Sequence, residues 1–176
     1  MPTYGVAVTI PQPWAGELSA TRHLVGDPMA QAIPPHVTLL PPTQVDSDTV
    51  DDFVAHLEAV AARHAPFTMV LGGAASFRPV SPVVFVQVAE GISSCEQLER
   101  DVRSGPMSRV LEFNYHPHVT IAHNLDDAAL DLAAAERATY RAEFPVTEFD
   151  LFEQGEDLVW RPQRPFVLRG SRSERT

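Results

Sequence analysis

The sequence predicts an α+β fold with two pseudo-symmetric lobes, in which antiparallel sheets flank a central cleft and helices lie outside. The first observation is a repeated phrase, Pro-His-Val-Thr, at residues 35–38 and 117–120. The second is the order strand, helix, motif strand, helix in the first half, which recurs in the second. The third is size, since 176 residues of which 44% are hydrophobic can bury a real core. We therefore expect residues 1–176 to form one bilobal domain.

The first half is predicted to hold two strands and two helices. Residues 4–10 are rich in Val and Thr and stop at a proline, which indicates a strand. Widely spaced apolar residues predict a short helix over 14–24. The first motif strand is bounded by proline pairs at 34–35 and 41–42, because proline cannot donate to a sheet ladder. Acids in a first turn, followed by apolar residues at helical spacing, predict a helix over 46–64.

The second half repeats this order and adds strands at its end. Besides the second motif strand, strands are predicted over residues 67–71, 83–88, 141–152, 158–161 and 165–168. Helices are predicted over 93–109 and 126–138, although Gly105-Pro106 interrupts the first of them. A glycine-rich loop over 72–79 is predicted to join two of the strands, and long loops often carry binding residues.

The composition excludes several classes of protein. The net charge is −10, all 13 basic residues are arginine, and a long nucleic acid normally needs a basic surface, so none is expected as a partner. No stretch approaches the ~20 apolar residues that a membrane span requires. The single cysteine, Cys95, cannot form an internal disulfide, and the N-terminus lacks a basic segment followed by an apolar run. We expect a cytoplasmic monomer.

The repeated phrase carries the chemistry. On a strand, residues two apart point to the same face, so each copy presents one imidazole and one hydroxyl while its valine points the other way. If the two motif strands face each other across a cleft, two imidazoles and two hydroxyls converge. Two histidines near neutral pH can take up and donate protons on opposite sides of a phosphorus atom, and hydroxyls can donate to its oxygens. A phosphodiester is the substrate that suits this arrangement best.

With these motifs the chain resembles the two-histidine (2H) phosphoesterases, specifically the bacterial and archaeal 2′-5′ RNA ligase-type proteins. The family is named for two His-x-Thr/Ser motifs, which are matched here by His36/Thr38 and His118/Thr120. The glycine-rich loop followed by Phe77 also resembles a feature of the family, and the likeness extends from residue 4 to about residue 152. It implies a bilobal fold, a water-filled cleft and cyclic phosphodiesterase chemistry without a metal. In ligase-type members it also implies reversible 2′-5′ joining.

The resemblance and the residues together predict a phosphodiesterase that acts on 2′,3′-cyclic phosphates of nucleotides or short RNA ends and needs no cofactor. His36 and His118 are the expected acid and base, and the symmetric motifs do not distinguish their roles. Thr38 and Thr120 are expected to hold the phosphoryl oxygens. Many ligase-type members have a basic residue where this chain has His123, so RNA ligation does not carry over directly.

Several further residues are candidates for substrate binding. Phe77 and Tyr115 could stack on a base, with core packing as the other interpretation. Arg78 could contact a phosphate or simply face solvent, and His123 could line the site.

Two other functions remain open at this point. His116, His118 and His123 could ligate a metal in a metallohydrolase, although His116 could equally flank the cleft or bond to the backbone. The second is a cleft that binds a nucleotide or RNA end without turnover.

Overall fold

The computed structural model describes residues 1–171 and contains eight strands and four α-helices within that range. The strands are β1 (Thr3–Thr9), β2 (His36–Gln44), β3 (Phe67–Ser76), β4 (Val83–Glu90), β5 (His118–His123), β6 (Arg141–Val146), β7 (Glu148–Gln154) and β8 (Trp160–Val167). The helices are α1 (Trp14–Leu24), α2 (Val50–Arg63), α3 (Ile92–Arg103) and α4 (Asp127–Glu136). In this part of the chain no helix has the length and apolar character needed to cross a membrane.

All eight strands belong to one antiparallel sheet in the order β6-β3-β4-β5-β2-β1-β7-β8. The two motif strands, β5 and β2, are therefore neighbours at its centre, with three strands on either side. This arrangement confirms the α+β class and the pseudo-symmetry that the repeated phrase predicts.

The helices pack on the sheet as two pairs, α1 with α4 and α2 with α3. Helices α1 and α4 contact each other and pack on β5, while α3 packs on β2 and α2 packs on β8. Each half of the sheet is thus covered by one helix from each half of the chain. The buried core lies beneath the helices, and alternation along the motif strands directs Val37 and Val119 into it.

Two strands continue past the ends that the sequence predicts. Strand β2 runs through Pro41-Pro42 to Gln44, because register shifts in β1 let the pairing resume between Tyr4 and Thr43. Strand β3 continues to Ser76, so most of the predicted 72–79 loop is strand. Gly73 makes this possible with a φ of +74°, at a register shift between β3 and β4.

Other boundaries differ for local reasons. The predicted helix over 14–24 is observed, but the helix predicted over 46–64 begins with a 3-10 turn, Ser47–Thr49. Helix α3 ends at Arg103, shortly before the Gly105-Pro106 interruption. The two predicted strands of the tail are one strand, β8, which tolerates its prolines because it lies at the sheet edge.

Candidate active site

The site is built by direct pairing of the two motif strands. Val37 of β2 is opposite Val119 of β5, and the strands are antiparallel. This is the single residue pair between the two strands, and an antiparallel register continued by one residue in each direction would bring His36 opposite Thr120 and Thr38 opposite His118. The motif strands therefore do not face each other across a cleft, as the sequence alone suggested; they are adjacent, and their four polar side chains share one face.

This register sets the spacing of the four groups. Side chains directly opposite on antiparallel strands have Cβ atoms about 4.5–5.5 Å apart, and diagonal neighbours are about 7–8 Å apart. With this register each histidine would be beside a threonine of the other motif, and the two histidines would lie on the diagonal. The four polar groups therefore lie close together on one face of the sheet.

The two imidazoles are held in the same way. Nδ1 of His36 lies 2.8 Å from the carbonyl oxygen of Pro34, and Nδ1 of His118 lies 2.6 Å from that of His116. A carbonyl can only accept, so each Nδ1 carries the donated proton. In the neutral ring Nε2 is then the proton acceptor, and this assigns the tautomer that a base requires.

The surroundings lower the pKa of both histidines. Burial is the main cause at His36, where the pKa falls to about 4 although the Pro34 carbonyl acts in the opposite direction. The Arg22 guanidinium and His118 also disfavour a charge on His36. Burial likewise lowers the pKa of His118, although the His116 carbonyl acts in the opposite direction, and the nearby His116 ring lowers it slightly further. In the unliganded protein at neutral pH, His36 is therefore uncharged.

Aromatic rings flank both histidines, but in different ways. The rings of Phe77 and Phe85 meet that of His118 edge to face, with centroids 5.0 and 5.2 Å away. On the other side, the Trp160 indole lies 4.6 Å from the His36 ring at an interplanar angle of 33°. Phe77 is half-buried, so part of its ring remains available to a substrate.

The Arg78 guanidinium is already bonded within the protein and is not a free phosphate ligand. Its guanidinium donates to Asp127 at 3.2 Å and to Asp131 at 2.9 Å, while its Nε donates to the Ser76 hydroxyl at 3.1 Å. These bonds tie the segment that carries Phe77 to helix α4. Arg78 therefore anchors one wall of the site, and its charge is offset by two carboxylates.

Tyr115, His116 and His123 lie in three different surroundings. The Tyr115 hydroxyl donates to the backbone oxygen of Thr38 at 2.7 Å, and its ring packs against the core, so it supports β2 from behind. His116 is exposed and contacts Phe77 and Phe85. His123 is exposed and pairs with Val83 at the far end of β5.

The predicted metal ligands do not form a set. Within residues 1–171, no three His, Cys, Asp or Glu side chains are grouped so that they could hold a metal ion. His116, His118 and His123 therefore do not come together as the metallohydrolase alternative requires.

Sequence reasoning missed several residues of this face. Gln87 is the cross-strand partner of His118, and Thr9 is the partner of His36. The Thr9 hydroxyl donates to Asp150 at 2.7 Å, and burial raises the pKa of that carboxyl. Trp160 lies more than 120 positions from His36 in the sequence. None of these residues belongs to a motif, and only knowledge of the strand pairing could have selected them.

Comparison with known proteins identifies relatives over most of the chain. A family model described as the 2′-5′ RNA ligase superfamily matches residues 10–158. The chain is 31% identical over 144 residues to a Bacillus thuringiensis (strain Al Hakam) protein named "Putative phosphoesterase", covering 81% of this chain and 83% of that protein. The corresponding protein of Bacillus cereus (strain AH187) gives the same figures.

Solved structures share the fold. TT0787 of Thermus thermophilus superposes with a TM-score of 0.66 at 23% identity, covering 96% of this chain and 98% of that one. E. coli LigT in complex with NADP+ gives a TM-score of 0.69 at 19% identity, covering 96% and 99%. The antiparallel α+β architecture is therefore that of these proteins.

Proposed function

The chain belongs to the 2′-5′ RNA ligase superfamily of 2H phosphoesterases, and on that premise we propose that it is a metal-independent phosphodiesterase that hydrolyses 2′,3′-cyclic phosphates of nucleotides or short RNA ends. The observation that carries the proposal is the register at Val37 and Val119, which puts His36, Thr38, His118 and Thr120 on one face. Both motifs are complete, which supports turnover over binding alone.

The proposed reaction is the addition of one water molecule to the cyclic phosphate. One neutral imidazole takes a proton from water through Nε2 as the water oxygen bonds to phosphorus. The bond from phosphorus to one ribose oxygen breaks, and that oxygen receives a proton from the other imidazole. Attack and departure are in line, so the acid and base must lie on opposite sides of phosphorus, as the diagonal pair allows.

The two threonines are proposed to stabilise the charge on the non-bridging oxygens. Their hydroxyls are donors set in a stiff sheet, so they need not reorganise as charge develops. Such preorganised donors typically contribute more than a flexible side chain does, because no free energy is lost in orienting them during the reaction.

Charge favours a small substrate. The chain carries a net charge of −10, and the arginine closest in sequence to Phe77, Arg78, is already bonded to two carboxylates. A polyanion would be repelled by such a surface, whereas one phosphodiester monoanion needs few contacts. E. coli LigT has been crystallised with 3′-AMP and with ATP, and we propose nucleotides as the ligand class here too. The half-buried Phe77 ring would then stack on the base.

The direct test is incubation of the pure protein with a panel of 2′,3′-cyclic nucleotides and short RNAs that end in a cyclic phosphate, with and without EDTA. We expect hydrolysis to a phosphomonoester at the same rate in both conditions. Binding of the same compounds without any product would instead indicate a nucleotide-binding protein. Activity that disappears with EDTA and returns with zinc would contradict the metal-independent reaction.

The plot of kcat/KM against pH is expected to be bell-shaped, with its optimum at a lower pH than two ordinary histidines would give. If one imidazole must be neutral and the other charged, kcat/KM falls on both sides of an optimum. The pKa values of the two limbs are then those of the coupled histidine pair and not of either residue alone. The sequence alone would place both limbs between about pH 5 and 8. Because the pKa of His36 is lowered to about 4 and that of His118 is also lowered, both limbs should lie at lower pH.

Comparison of kcat with kcat/KM refines this expectation. A bound phosphodiester monoanion favours the charged imidazole and raises both pKa values, so the kcat profile should lie at higher pH than that of kcat/KM. A profile that rises to a plateau without an alkaline limb would contradict the two-histidine mechanism.

A further inference from the structure

His116 is an exposed histidine beside the second motif, and its imidazole lies next to that of His118. The two ring centroids are 6.0 Å apart. The His116 ring also meets Phe77 and Phe85 close to edge-on, with centroids 5.5 and 5.3 Å away. The same two phenyl rings contact His118. The two histidines therefore share one aromatic wall, on the side of the site where Phe77 is proposed to hold the base.

The backbone at His116 is held on both sides. Its carbonyl oxygen lies 2.6 Å from Nδ1 of His118 and accepts a hydrogen bond from it. The preceding residue, Tyr115, donates its hydroxyl to the backbone oxygen of Thr38 at 2.7 Å, and the following residue, Pro117, is buried. Residue 116 is therefore tied to both motif strands, so a contact between its side chain and a substrate requires little ordering of the backbone.

The nitrogens of the His116 ring are not used within the protein. In residues 1–171 no hydrogen bond joins them to another residue, whereas the rings of His36, His56, His64 and His118 are each bonded to an oxygen. The groups that face the ring are two phenyl rings and another imidazole, and none of them offers an oxygen. An imidazole carries at least one N–H in either protonation state, so this donor is available to a ligand.

The arginines nearest the motifs are already paired. Arg78 is bonded to two carboxylates, and the buried Arg22, whose charge acts on His36, has its Nε 2.8 Å from Oδ2 of Asp27. The chain as a whole carries a net charge of −10. A donor that can also take up a positive charge is therefore the kind of side chain that an anionic substrate needs here, and His116 provides one.

We propose that His116 is a substrate-binding residue whose imidazole donates a hydrogen bond to a non-bridging phosphate oxygen of a nucleotide bound at His118. An N–H donates over about 3 Å, so two rings with centroids 6.0 Å apart can reach oxygens of the same phosphate group. His36 and His118 keep the two proton transfers, and His116 contributes to binding of the anion. Only the identity of the substrate as a cyclic phosphate rests on the proposed function, because the contact itself does not require turnover.

The test is an NMR titration of the wild-type protein and of His116→Phe with inorganic phosphate, 3′-AMP and adenosine. Phenylalanine keeps a ring against Phe77 and Phe85 and removes the N–H donor. We expect phosphate and 3′-AMP to bind about 10-fold or more weakly to the variant, the usual effect of losing a hydrogen bond to a charged group. Adenosine, which has no phosphate, should bind equally to both proteins.

Two further variants isolate the donor. His116→Gln replaces the ring by an amide that still carries N–H donors, so its binding of phosphate should be closer to that of the wild type than in His116→Phe. His23→Phe is the matched control, because His23 is exposed in the last turn of α1, on the helix side of the sheet. This variant should bind all three compounds as the wild type does.

Kinetics with 2′,3′-cyclic nucleotides provides a second measurement. His116→Phe should raise KM and leave kcat nearly unchanged, because the non-bridging oxygens are charged in the bound substrate as well as in the transition state. A large fall in kcat at an unchanged KM would show that His116 acts in the chemical step, and it would overturn the proposal.

The binding data can overturn it as well. A folded His116→Phe protein that binds phosphate and 3′-AMP as tightly as the wild type would do so, and so would a wild-type protein that binds neither. Equal losses for 3′-AMP and adenosine would show that the ring contacts the base and not the phosphate. If His116→Phe does not fold, His116→Ala is judged by the same comparisons.

The two proposals can fail separately. Hydrolysis of cyclic phosphates with an unchanged KM in His116→Phe would support the phosphodiesterase and reject the phosphate contact at His116. Phosphate binding that depends on His116, in a protein inactive on every cyclic phosphate, would reject the proposed function and support this contact.

Discussion

Replacing either His36 or His118 by alanine is expected to lower kcat/KM for 2′,3′-cyclic phosphates by about 10²–10⁴-fold, the usual cost of losing a general acid or base. Each change removes one of the two proton-transfer groups, and no other histidine lies on the β2–β5 pair in a position to replace it on the diagonal. Both side chains are only partly buried, so the fold should survive. Steady-state kinetics checks the rate, and circular dichroism checks the fold.

His23→Ala is the matched control for these two variants. His23 is an exposed histidine in the last turn of α1, on the helix side of the sheet. Its replacement should leave kcat/KM unchanged. Near-normal activity in His36→Ala or in His118→Ala would reject the two-histidine mechanism, whichever residue is the base.

Replacing Thr38 or Thr120 by valine should lower kcat by roughly 10- to 1,000-fold. Valine preserves the β-branched shape and the strand propensity, so the loss isolates the hydroxyl donor. If the hydroxyl bonds tighten as charge develops on the phosphoryl oxygens, the effect appears mainly in kcat. An effect confined to KM would mean that the hydroxyls only help to bind the ground state.

Thr68→Val provides the control for the threonine variants. Thr68 lies in β3, exposed and paired with Pro145, well outside the motif strands. The same substitution there should change neither kcat nor KM. A similar loss in this variant would show that removing a strand hydroxyl disturbs the sheet as a whole.

Local patterns were enough to predict much of the fold. Helix α1 follows from the spacing of its apolar residues, and α4 follows from Asp126, whose carboxylate caps the helix through the Ala129 N–H at 2.9 Å. The predicted strand ends were wrong where strand pairing extended a strand through proline or glycine. Pro41-Pro42 remains within β2 and Gly72-Gly73 within β3, because register shifts absorb the irregularity at each place.

For the substrate-binding candidates too, the sequence did not predict contacts between distant residues. Phe77 does lie against His118, as a motif neighbour could, but Arg78 is engaged by Asp127 and Asp131, some 50 residues further along the chain. Tyr115 lies next to the second motif in sequence, yet its hydroxyl supports Thr38 from the core side. Proximity in sequence therefore predicted which residues lie near the site and not what their side chains contact.

The sequence by itself determined the four polar groups, since the period of two along a strand puts each histidine and its threonine on one face wherever the strand lies. Only the tertiary structure decided that the two strands are adjacent, that the Trp160 ring lies beside one histidine, and that the rings of Phe77 and Phe85 lie beside the other. The reason is physical: side-chain alternation is a local property of the backbone. Register and burial depend on contacts between residues far apart in the chain, and those contacts set the difference between two otherwise identical motifs.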